Sequence, residues 1–312
     1  MTSPEVRYRR LLALYPREFR REYEDEMLGV LMADSPGPAQ VFDLVRSALA
    51  AHLSRPFAPG RDWRRAAWVV QVFGSMLMLA MALRVVAIEV TASTLPYGNR
   101  FDLDTVEILR VVGWSVALAS ALFGPRLIGH AGAVVGLVGE IGAPARYYLD
   151  TPAMVLYSYW LIVGAAVVLA AGLGAKRGTW PPRGSVPVAA AGVVLVLHGF
   201  VLFGNVLWPI RAALPWVAVA LAGLGVWRLR PAVRRRVVAW AVPVVVTVPV
   251  VRVGFGGFIE YNGFHPESLR LLGAVQVAAL VLVPVATFFV VAELNRRLEA
   301  SRAVSRTGVA DK

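Results

Sequence analysis

Apolar residues in this chain are gathered into long runs that short charged segments separate. A helix that crosses a bilayer needs about 20 mostly apolar residues. Seven runs meet or approach that length: 66–90, 106–127, 154–174, 186–207, 212–227, 237–255 and 271–293. An eighth run, 129–143, is short, rich in glycine and interrupted by Glu140. The pattern predicts an all-α, polytopic membrane bundle, and run 129–143 decides on which side every later segment lies.

The distribution of basic residues decides the number of spans. If all eight runs cross, with the N-terminus inside, the cytoplasmic segments are 1–65, 125–130, 175–184, 228–236 and 294–312. These segments hold 25 of the 32 lysines and arginines, and the external segments hold four. If 129–143 does not cross, the numbers become 15 inside and 14 outside. Because basic residues concentrate on the cytoplasmic side, we predict about eight transmembrane helices with both termini in the cytoplasm.

Composition agrees with a lipid-facing protein. The chain is 57% hydrophobic with a mean hydropathy of +0.61, whereas soluble domains are about 45–50% apolar. The net charge of +12 would suit nucleic acid, but the basic residues flank the apolar runs, as the positive-inside rule predicts. We therefore expect the lipid bilayer of the cell membrane as a partner, and no nucleic acid. No signal peptide is expected, because the first 65 residues are charged.

The segment before the first span predicts a small cytoplasmic helical domain. Residues 1–60 are expected to form three short amphipathic helices, followed by the bundle at 61–293 and a cytoplasmic tail at 294–312. One face of the second helix carries Phe19, Tyr23 and Met27 at helical spacing. The apolar faces either pack against one another in a helical cap, or one of them binds a cytosolic partner or the membrane surface. The second interpretation makes these three residues candidates for partner binding.

A family resemblance lies in the same segment. The run from Leu14 to Leu28, LYPREFRREYEDEML, resembles the Y-P-x-x-[FY]-R-x-x-[YH]-x-[DE]-E-[ML]-L segment of a bacterial helical prefix domain. Similar prefixes begin some large permeases and also uncharacterised actinobacterial multi-pass membrane proteins, some of which are encoded beside PadR-like transcription regulators. The resemblance implies a membrane location and a cytosolic regulatory partner, and it implies no catalytic residue. We expect this chain to lack the large external domain of those permeases.

Six polar residues inside the predicted spans form a candidate ligand-binding set: Arg84, Arg110, Glu140, His198, Arg252 and Gln276. Because successive spans run in opposite directions, all six fall near the outer ends of their helices. Glu140 continues the small-residue face of Gly132 and Gly136, and such faces allow helices to approach closely. We therefore expect Glu140 to point at neighbouring helices, with Arg84 or Arg252 as its counter-ion.

Three interpretations of these polar residues stay open. Glu140 and an arginine form a buried pair that only fixes helix register, or the set forms a ligand or ion site that opens outward. The third is that the side chains reach separately to the outer interface. Pro243, Pro249 and Pro284 interrupt the last two spans and are candidates for bending them around a cavity. A cavity lined by Glu140 together with arginines would favour binding, and a packed ion pair would favour a structural role.

No catalytic motif is present in the sequence. Walker A, GxSxG and HExxH patterns are missing, and the chain has no cysteine. Glu260, His265 and Glu267 fit no standard metal-ligand spacing, so we expect no metal and no cofactor. Asp102 and Asp104 are expected to be simply solvated.

Two functions follow from these patterns. The first is a non-enzymatic sensor or regulatory membrane protein with a cytoplasmic partner-binding arm. The alternative is a transporter or small-ligand-binding membrane protein that uses the polar cluster in the outer leaflet. A membrane enzyme using Glu140 and His198 ranks third, since nothing in the sequence indicates its substrate.

Overall fold

The computed structural model divides the chain into two compact units, Met1–Gly60 and Arg61–Lys312. The structure describes residues 8–9, 11–15, 17–33, 44, 47, 61–93, 104–124, 126–174, 184–200 and 208–307. These residues are almost entirely helical, and none of them lies in a strand. The all-α class expected from the sequence is confirmed.

The first unit is built around helix α1, Arg17–Ala33. Four side chains are buried together in this unit: Tyr8, Leu12, Tyr15 and Leu44. Met27, Leu28 and Leu31 of α1 pack against that cluster at helical spacing, which is the packing that an amphipathic helix achieves with one apolar face. The second of the three predicted helices is therefore present, while most of the predicted third helix lies outside the described residues.

Nine helices form the described part of the second unit. They are α2 (Arg61–Ser93), α3 (Thr105–Phe123), α4 (Arg126–Ala145), α5 (Pro152–Gly174), α6 (Val186–Phe200), α7 (Trp208–Arg228), α8 (Pro231–Gly254), α9 (Gly256–Phe264) and α10 (Ala274–Thr307). The pattern of apolar residues does not predict α9, and α10 continues through the expected start of the tail at residue 294.

Helix α2 is the centre of the bundle. It packs against α3, α5, α6 and α8, and the core around it combines side chains of α2, α3, α4 and α5: Met78, Leu79, Trp114, Ala117, Ala133, Leu161, Ala165 and Val168. At 1.5 Å per residue its 33 residues extend about 50 Å. That length exceeds the roughly 30 Å of hydrocarbon in a bilayer, so both ends of α2 have room to project beyond the apolar layer.

Helices α3 and α4 form a tight antiparallel hairpin. Gly124 ends α3 in the left-handed conformation, with φ +98° and its N–H donating to the Ser120 carbonyl. At the crossing, a Cβ atom added to Gly113 would lie 2.3 Å from the Gly136 nitrogen and 2.8 Å from the Gly132 oxygen. The two backbones therefore touch directly, and only glycine fits between them.

Six of the described helices are long and apolar enough to cross a membrane: α2, α3, α4, α5, α8 and α10. The doubtful run 129–143 lies within one of them, α4. The apolar stretches Val186–Gly199 and Ala212–Arg228 of α6 and α7 are shorter. Helix α6 has 15 residues and extends about 22 Å. The last residues of the predicted span 186–207 lie outside the described part.

The prolines do not interrupt α8 and α10. Pro243 and Pro249 lie inside α8, and Pro284 lies inside α10. Thr247 donates its hydroxyl to the Pro243 carbonyl at 2.7 Å. Thr287 makes the equivalent bond to the Pro284 carbonyl at 2.8 Å. The carbonyl that Pro284 leaves without a helical donor is that of Leu280, four residues earlier, and the Tyr159 hydroxyl of α5 donates to it at 2.8 Å.

Candidate functional site

A buried charged network joins α3 to α4. Arg110 donates from Nε to Oε1 of Glu140 at 3.0 Å and from Nη2 to Oε2 at 3.0 Å. Its Nη1 donates to Oε2 of Glu107 at 2.8 Å. Glu140 is 2% exposed, and Arg110 and Glu107 are each 4% exposed. The guanidinium is thus held between two carboxylates, with the two-pronged geometry that makes arginine–carboxylate pairs strong.

Residue spacing on α3 explains the arrangement. Glu107, Arg110 and Trp114 follow one another by three and four residues, so they share one helix face. That face meets Glu140 because the contact between Gly113 and Gly136 brings the helices together. The Trp114 indole, which is fully buried, also donates to Oε1 of Glu140 at 3.2 Å. Both carboxylate oxygens of Glu140 are therefore occupied.

The network continues to one end of the bundle, where α2 and α4 end and α3 and α5 begin. We call this end the network end. Arg146, just after α4, forms an ion pair with Asp104, and its Nη2 lies 3.7 Å from Oε1 of Glu107. Asp104 is also the N-cap of α3, since its side chain accepts from the Val106 N–H at 3.2 Å. The expectation that Asp104 is only a solvated charge is wrong.

The prediction that Arg84 or Arg252 is the counter-ion of Glu140 is also wrong. Arg110 pairs with Glu140, while Arg84 and Arg252 form no ion pair with it. The cause is the hairpin: the short turn after α3 makes α4 its nearest neighbour, so the arginine of α3 reaches Glu140 first. Glu107 was not among the predicted site residues. The E-x-x-R-x-x-x-W spacing on one face of α3 is the signal that would have found it.

A cavity of about 260 Å³, here cavity 1, lies beside the network at the network end. Its wall comes from α2, α3, α4, α5 and the turn between α4 and α5. Three of the six predicted site residues, Arg84, Arg110 and Glu140, line it. Arg84 is exposed and forms no ion pair with any described residue. The remaining lining residues are Met81, Val85, Ile88, Ala143, Pro144, Tyr147, Met154, Ser158 and Leu161.

The other three predicted site residues lie elsewhere. Arg252 is exposed and lines a separate cavity of about 170 Å³, cavity 2, between α5 and α8. His198 is half-buried near the end of α6, and Gln276 near the start of α10 accepts from the Gly273 N–H at 2.9 Å. Five of the six residues lie within five residues of a helix end, Arg84 lies nine residues before the end of α2, and the six do not form one site.

The three partner-binding candidates of the first unit differ in environment. Tyr23 is 39% exposed, whereas Met27 packs against the core of its own unit. The side chain of Phe19 lies outside the described part. Packing of the helix faces within the unit is therefore observed for Met27, whereas the ring of Tyr23 is partly exposed.

The network holds three carboxylates and two guanidiniums, so its net charge is −1. Each of its carboxylates is paired with a guanidinium, so none is left as an obvious general base. Among the residues that the structure describes, no group of three histidine or acidic side chains could hold a metal ion. Comparison with family models, curated proteins and solved structures finds no match to this chain.

Proposed function

We propose that this protein is a non-enzymatic sensor or regulatory protein of the cell membrane, which binds a small ligand in cavity 1 and contacts a cytosolic partner through its N-terminal unit. The observation that carries the proposal is cavity 1 itself. It has an exposed guanidinium in a mostly apolar wall, next to a buried network that holds two of its helices in place. Concave, mostly apolar pockets with a few polar groups are the usual form of ligand sites.

The proposed topology has eight spans, with both termini in the cytoplasm and the network end outside. It rests on the 25-to-4 distribution of basic residues and on the six long apolar helices, with α6 and α7 supplying the other two spans. Cavity 1 then opens toward the outer leaflet and the outside, and residues 1–60 lie on the opposite side of the membrane. This separation suits a protein that relays an external signal inward.

The proposed cytosolic partner is supported by the resemblance of residues 14–28 to bacterial permease-prefix domains and by the exposed ring of Tyr23. The experiment places a photo-crosslinking amino acid at Tyr23 or, as a matched control, at Leu14 of the full-length chain in cells. Leu14 is 47% exposed in the same unit. We expect one discrete cytosolic adduct from position 23 and none from position 14. Equal adducts from both positions, or none from either, would contradict the partner-binding arm.

Transport is the second candidate, and one observation favours it. Cavity 2 lies along α8 at Thr247, Val248, Val251 and Arg252, between and beyond two prolines where a helix bends most easily. The locked α3–α4 hairpin argues against a rearrangement centred on Glu140. Uptake of a ligand into proteoliposomes that is lost with Arg252→Ala would favour transport over sensing, and binding at cavity 1 without uptake would favour sensing.

A further inference from the structure

We propose that cavity 1 takes a ligand with an anionic head and an apolar body, and that the carboxylate or phosphate group of this head binds Arg84. The inference rests on the proposed function, because it names the class of ligand for the same cavity. It follows from which charged groups around the cavity are already paired and which are not.

Arg84 is the charged lining residue without an ion-pair partner in the described part of the chain. The Arg110 guanidinium is shared between Glu140 and Glu107. Both oxygens of Glu140 accept hydrogen bonds from Arg110. Glu89, the next acid along α2, does not line the cavity and forms no ion pair with Arg84. A bound anion would meet one available cation and no available carboxylate.

The position of Arg84 makes an anionic partner favourable. It lies within the membrane-crossing helix α2, nine residues before the helix ends at Ser93. Arginines inside a membrane-crossing helix usually pair with an opposite charge or face a wet cavity. Hydrogen bonds that join two ions are stronger than neutral ones. The hydroxyl-bearing residues Tyr147 and Ser158 add polar groups to the same wall.

The rest of the wall of cavity 1 is apolar, and it therefore favours a ligand with an apolar body. Seven lining side chains carry no polar group: Met81, Val85, Ile88, Ala143, Pro144, Met154 and Leu161. At about 260 Å³ the cavity lies just below the roughly 300–1,000 Å³ of pockets for drug-sized molecules. A short carboxylate would fit inside it, and so would the head and first part of a lipid whose chains remain in the bilayer.

The test uses the absence of cysteine in this chain. Met154→Cys places a single thiol in the wall of cavity 1 in the full-length protein, reconstituted in phosphatidylcholine nanodiscs. The rate of its reaction with N-ethylmaleimide is measured against increasing hexanoate, or against hexanamide, which has the same body without the charge. We expect hexanoate to protect the thiol and hexanamide to require about tenfold more for half-protection, as the loss of one charge-assisted contact predicts.

Variants of two arginines supply the controls. Arg84→Gln should raise the half-protecting hexanoate concentration about tenfold, and Arg84→Lys, which keeps the charge, should restore part of the protection. Arg252→Gln removes a second exposed arginine that lines a different cavity, and it should leave protection unchanged. The bound anion can come from a free carboxylate or from the head of an anionic lipid. A parallel set of nanodiscs with added phosphatidylglycerol distinguishes these two sources. Slower labelling without hexanoate, reversed by Arg84→Gln, would identify an anionic lipid head as the occupant.

The outcomes distinguish this inference from the proposed function. Equal protection by hexanoate and hexanamide would overturn the anionic ligand while keeping a ligand-binding cavity. The proposal of an anionic ligand would also be overturned if neither hexanoate nor hexanamide protected the thiol and phosphatidylglycerol did not change its labelling. Arg84 would then be an arginine whose side chain reaches to the membrane interface. A thiol at position 154 that does not react with maleimide in any sample would show a closed cavity, and the proposed function would fail with it.

Discussion

At the scale of single residues, Glu140 is the member of the network whose loss is expected to matter most. Glu140→Gln leaves the buried Arg110 guanidinium with one carboxylate and turns an amide N–H₂ toward it. We expect the free energy of unfolding to fall by about 3 kcal/mol, the low end of the range for breaking a buried ion pair. Denaturant titration of the purified protein in detergent measures the change.

Glu89→Gln is the matched control, because Glu89 is an exposed glutamate on α2 with no described ion pair. We expect its effect to stay within about 0.5 kcal/mol, as for surface substitutions in general. Equal losses for the two substitutions would mean that the network does not contribute to stability.

Tyr261 provides a prediction of pH dependence outside the membrane-crossing helices. Its hydrogen bond to Ser268, at 3.3 Å, and the Arg270 guanidinium, 3.6 Å from its ring centre, lower the pKa of the phenol. Because the pKa of Tyr261 is lower in the folded than in the unfolded protein, ionisation of the phenol stabilises the fold. This contribution is complete only above about pH 10, the ordinary tyrosine pKa. That contribution is lost as the pH falls through the lowered value, so it is absent at neutral pH.

The measurement is an ultraviolet titration of tyrosinate in the native protein, with Tyr261→Phe as the reference that isolates the one phenol. Arg270→Gln should move its pKa back upward. An unchanged titration in that variant would show that Arg270 does not act on the phenol.

At the residue level, the prediction that Glu140 faces a neighbouring helix is confirmed, and the prediction of its counter-ion is wrong. The glycine spacing in α4 correctly placed Glu140 against a neighbouring helix. It did not identify that neighbour, because the choice among Arg84, Arg110 and Arg252 depends on which helix lies closest. Helix adjacency is a tertiary property that spacing along one helix does not contain.

At the scale of elements, the α3–α4 hairpin depends on direct backbone contact. Gly113→Ala would place its Cβ 2.3 Å from the Gly136 nitrogen, and backbone cannot move aside as a flexible side chain can. We expect a loss of about 1–3 kcal/mol, the usual cost of overpacking, measured by the same denaturant titration.

Gly142→Ala is the control in the same hairpin. Its Cβ would meet Val106 side-chain atoms at 3.6 Å, an ordinary contact, and alanine favours helix over glycine by about 0.8–1.0 kcal/mol. This variant should be neutral or slightly more stable. A Gly113→Ala protein as stable as Gly142→Ala would refute the close crossing.

Where an apolar run in the sequence is long, the structure has a helix at the position that the run predicts. The structure contains a helix at each of the eight predicted runs, including the glycine-rich one in α4. It also contains α9, whose residues mix apolar and polar side chains without a helical period. Hydropathy detects helices by the apolar solvent they face, so a short helix of mixed composition gives no such signal.

At the scale of the whole molecule, the number of crossings depends on α6 and α7. Gly199, near the described end of α6, lies against the Ala80 carbonyl in the middle of α2. Thirteen residues of α2 follow that point, about 20 Å of helix. A hairpin that turns back at this depth gives six crossings, and one that continues gives eight. Both arrangements leave every segment on the same side except the connection between α6 and α7.

Single cysteines in this cysteine-free chain test the proposed eight-span topology most directly. Ile210→Cys, in the first turn of α7 and 54% exposed, marks the end of the α6–α7 connection. Glu267→Cys and Arg230→Cys mark segments expected outside and inside in either arrangement. In intact cells a membrane-impermeant maleimide should label positions 210 and 267, and position 230 only after permeabilisation. Labelling of position 267 without position 210 would establish six crossings. Labelling of position 230 without position 267 in intact cells would show that the orientation in the membrane is reversed, and it would contradict the proposed topology.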